Sequence, residues 1–159
     1  TGYWKNGRRF TGVGSLFASL ATPPCGGRLD VVHLLPMFVR QRVGRLPQGD
    51  EVGGDGLWFA LNFFEASPRM DLLAPERAAE VLRSGWREVP VDSATLGDVL
   101  WFSAADVAMA GVMVAGDLLI TRFGGERFDP WVLTERRAVT RSLEPLGAVT
   151  IQAFRRRVR

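Results

Sequence analysis

The chain has 159 residues, 47% of them hydrophobic, with five Trp and ten Phe, which suits one substantial core and the size of a single domain. Cys25 and His33 are each the sole residue of their kind, so an intrachain disulfide and a Cys/His zinc site are both excluded. Its 20 basic and 17 acidic residues leave a net charge of +3, a weak electrostatic footprint for a nucleic-acid binder.

Residues 1–27 mix Gly, aromatic and polar residues and end in the breaker run Thr22-Pro23-Pro24-Cys25-Gly26-Gly27, which predicts an irregular N-terminal arm. The chain opens on Thr1 without the charged and apolar pattern of a secretory leader, as a processed or trimmed start would, and it carries no readable compartment signal. Residues 28–159 are expected to form one domain with a basic C-terminal end. From Leu29, the residues Val32, Leu35, Phe38 and Val39 recur at helical spacing up to Gly44, with Pro36 as an internal kink. The stretch from Leu46 to Gly56 is a solvated loop, and its acids Asp50, Glu51 and Asp55 lack the alternating spacing of a calcium loop, so neither a metal nor another cofactor is expected. Leu57 to Phe64 is apolar all round and predicts a buried second helix. Pro75 at a first helical position, Glu76 in the first turn and Gly85 at the end predict a third helix over 75–84.

Beyond it come short apolar runs at Trp86 to Val89, Asp98 to Phe102, Val107 to Val114 and Leu118 to Arg122, with Gly116-Asp117 as a tight hairpin turn. Ala148 to Phe154 alternates and predicts a closing strand that leaves through Arg155, Arg156 and Arg157. Helices first and an antiparallel sheet afterwards indicate α+β. The longest apolar run, Val107 to Val114, falls far short of the roughly 20 residues of a bilayer span, so no transmembrane segment is expected.

The run Leu96-Gly97-Asp98-Val99-Leu100-Trp101-Phe102, a polar insert, then Ala110-Gly111-Val112-Met113-Val114 and Gly116-Asp117 resembles the NlpC/P60 cysteine hydrolases. Thr121-Arg122, Gly124 and Pro130-Trp131-Val132-Leu133 look like the continuation seen in one bacterial subgroup, and the similarity spans roughly residues 54 to 154. The resemblance implies a papain-like domain with helices packed on a small antiparallel sheet. It also implies a nucleophilic cysteine opening the buried helix and a histidine opening a strand. In this chain those places fall on Gly56 and Met109. A papain-type reaction needs a thiolate whose proton is taken by a nearby imidazole, and neither position supplies the group.

The sequence therefore points to an inactive domain that serves as a protein-binding or structural subunit of a larger assembly, with Trp58, Trp101, Arg122 and Trp131 as candidate lining of a remnant cleft. For each tryptophan, core packing is the commoner role. One alternative is an active hydrolase or acyltransferase using Cys25, with His33 in the first helix as its base. A second is phosphate or nucleic-acid binding through Arg155, Arg156 and Arg157, assisted by Arg136, Arg137, Arg141 and Arg159, although the aromatics are not interleaved with these arginines.

Overall fold

Apolar residues decide where the chain turns inward, and in the computed structural model, which describes residues 35–124 and 126–157, they build two layers on one sheet. The expected arm over 1–27, with Cys25 and His33, lies outside the described residues. Of the first helix expected from Leu29 to Gly44, the described part is the single turn α1, Met37–Arg40. Pro36 does not kink a longer helix there. It sits in extended backbone immediately before α1, because a proline's fixed φ suits a helix start and its missing N–H suits nothing further inside.

The second helix, α2, Gly56–Asn62, has all seven residues buried, as its apolar run demands. It is capped by Asp55, whose Oδ1 accepts the Trp58 N–H at 2.7 Å. Asn62 at its end is fully buried, donating to the Trp58 carbonyl and accepting the Arg69 N–H, so the loop that follows is tied back onto the helix. Helix α3, Pro75–Gly85, begins at its proline and turns Ala78 and Leu82 inward.

The strands are β1 Trp86–Val89, β2 Val99–Ala104, β3 Val107–Ala115, β4 Leu118–Thr121, β5 Val132–Glu135 and β6 Thr150–Arg156. They form a six-stranded antiparallel sheet in the order β1-β6-β2-β3-β4-β5. A last helix, α4, Arg136–Leu143, follows β5. Its position revises the expected order of helices first and sheet afterwards. The sheet is covered on both faces, by α1, α2 and α3 on one and by α4 on the other.

On the first face Val99, Ala110, Val112, Val114 and Ile120 pack under α2. An aromatic stack joins them there: Phe59 lies 5.6 Å from Trp131, Trp58 lies 5.9 Å from Trp131, and Phe38 closes the cluster 5.6 Å from Trp58. On the second face Leu100, Phe102, Met113, Leu119 and Ala153 meet Val139 and Leu143 of α4. The start of α4 is fixed from afar. The Arg136 N–H donates to the Asp117 carbonyl at 2.7 Å and its Nε pairs with the Asp117 carboxylate at 2.8 Å, so the β3–β4 turn holds a helix that carries an unfavourable cation at its positive end.

Candidate functional site

The cleft follows from unequal strand lengths. Strand β3 has nine residues and β4 only four, and their pairing begins at Gly111 opposite Thr121. Val107 to Ala110 therefore run on beyond β4, paired to β2 alone among the described residues. Beside this stretch lies a half-open cleft of about 530 Å³. Trp101, Gly56 and Leu57 wall it on the α2 face of the sheet, and Leu143 and Leu146 wall it on the α4 face.

Arg122 turns inward where the chain leaves the sheet after Thr121. Only 3% exposed, its guanidinium donates to four carbonyl oxygens: Asp129 at 2.8 Å, Val52 at 2.9 Å, and Gly54 and Glu126 in closer contacts. It also lies over the Trp131 ring at 5.3 Å. Burial lowers its pKa from the ordinary arginine value, while the charges of Asp129, Asp55 and Glu126 act in the opposite direction. With its donors committed to backbone, Arg122 is a staple joining the loop before α2 to the loop after β4, at the floor of the cleft.

The helix start is pressed against β3. A Cβ built on Gly56 would stand 1.8 Å from the Ala110 carbonyl oxygen and 2.8 Å from its carbon, so glycine is the residue this approach tolerates. The same carbonyl oxygen accepts the buried Thr121 hydroxyl at 2.7 Å. One residue earlier, the half-buried Met109 turns to the opposite face of the sheet and also lines the cleft. Gly56 and Met109, singled out separately in the sequence, thus line one cleft from opposite faces of the sheet.

The other sequence candidates divide. Trp101 is half-buried and lines the cleft, whereas Trp58 and Trp131, each 1% exposed, lie in the aromatic core and do not line it. The arginines of β6 are engaged. Arg155 pairs at 2.7 Å with Asp98, which is fully buried and also accepts the Thr95 N–H and hydroxyl. Arg156 reaches Glu65 at 3.2 Å, and Arg157 donates to the Trp86 carbonyl at 3.1 Å, while Arg159 lies outside the described residues.

Chemically the cleft is poor in reactive groups. Among the described residues its charged lining is Asp55 and Arg122, and the Ser142 hydroxyl donates to the Val139 carbonyl at 2.7 Å. Among the described residues no three His, Cys, Asp or Glu side chains are grouped to hold a metal ion, and no helix is long and apolar enough to cross a membrane. The rim, by contrast, exposes large apolar side chains: Val107 at 43%, Phe123 at 45% and Leu146 at 47%. Sequence reasoning missed this rim and the part of β3 that runs beyond β4, although the longer apolar run over β3 than over β4 carried the signal. No family model, no curated protein and no solved structure matches the chain.

Proposed function

We propose that this chain is a catalytically inactive, papain-like domain of the NlpC/P60 type that serves as a binding or structural subunit of a larger assembly. The observation that carries the reading is the fit of Gly56 against Ala110: the place where a nucleophile would open the buried helix is taken up by the backbone of the neighbouring strand. Methionine at 109 adds to it, being able to fill an imidazole's volume but neither to accept a thiol proton nor to return one to a leaving group. What remains beside them is a cleft with an apolar rim, which suits contact with a partner better than turnover.

Binding of phosphates through the C-terminal arginines is less well supported. Arg155 is neutralised by a buried carboxylate and Arg156 by Glu65, so two of the three cations are already paired.

The test treats the full chain with an alkylating probe across neutral pH while peptide and amide hydrolysis is followed. The expected outcome is slow labelling of Cys25 that rises only as an ordinary thiol ionises, with no hydrolysis to inhibit. Rapid labelling near neutrality with loss of a hydrolytic activity would overturn the inactive reading. Native mass spectrometry of extracts is expected to find the chain in a complex, and a monomer both alone and in extract would remove the assembly.

A further inference from the structure

We draw no further inference here: the strongest candidate, the apolar-rimmed cleft beside the part of β3 that runs on beyond β4, with Val107, Phe123 and Leu146 exposed along it, carries nothing because nothing in the structure shows what covers it.

Discussion

Adding one methyl group to the start of α2 should be among the most damaging small changes this domain can suffer. In Gly56→Ala the new carbon would have to occupy space 1.8 Å from the Ala110 oxygen and 2.8 Å from the Ala110 carbon, with the Thr121 Oγ1 at 3.3 Å. The nearest two atoms are backbone in the middle of a paired strand, so relief requires moving α2 and β3 apart rather than rotating a side chain. Overpacking of a well-filled core costs about 1–3 kcal/mol, and a clash with backbone belongs at the top of that range, about 3 kcal/mol. Against a total stability of about 5–15 kcal/mol, this is a large fraction. It should lower the melting temperature by about 10 °C. Guanidinium unfolding followed by tryptophan fluorescence reads the change directly. Gly53→Ala is the control, because nothing lies within 4 Å of a Cβ there, and it should stay within about 0.5 kcal/mol of the parent. A Gly56→Ala protein as stable as the control would refute the packing argument.

Arg122→Met should cost about 3–5 kcal/mol, since four carbonyls lose their donor, and Arg122→Lys should recover part of the loss because an ammonium cannot serve all four; chemical denaturation measures both. Asp98→Asn should cost about 3 kcal/mol by uncoupling a buried carboxylate from Arg155, and a double-mutant cycle with Arg155→Met should return a coupling above about 1 kcal/mol. Ala105 holds a φ of 48° in the β2–β3 turn, so Ala105→Gly should raise stability by about 0.5–1 kcal/mol in thermal unfolding.

The elements that could be read from residues alone were those whose signal is local. The all-round apolar α2, the Pro75 start of α3 and the apolar runs of β1 to β4 each declare themselves within a few positions. Strand β5 and helix α4 do not: Val132–Glu135 is four residues long, and α4 buries only Val139 and Leu143 among arginines and polar residues, its start being secured by Asp117 from a distant turn. The sheet order is equally hidden, because pairing between β6 and β1 joins residues about 70 positions apart. In the site, Gly56 and Met109 line one cleft, but their positions are 53 residues apart and no local signal brings them together. The fates of the tryptophans were hidden too: a tryptophan is apolar wherever it stands, and only the helix against it decides whether Trp58 and Trp131 are interior while Trp101 meets a cleft. Arg122 was legible as a polar anchor but not as a staple, because two of its acceptors, Val52 and Gly54, lie 70 and 68 residues earlier.

The placement of β6 between β1 and β2 has a consequence for how the molecule is made. The strand neighbour of Trp86–Val89 among the described residues is Thr150–Arg156, and β2 takes the same segment on its open flank. A nascent chain that has emerged only as far as α4 can close the β2–β3–β4–β5 ribbon and pack α2 and α3 on it, yet it carries β1 without its strand neighbour beside a bare β2. Ribosome stalling before Thr150 would therefore leave an adhesive intermediate, and a holding chaperone should bind such truncated products far more strongly than the finished chain.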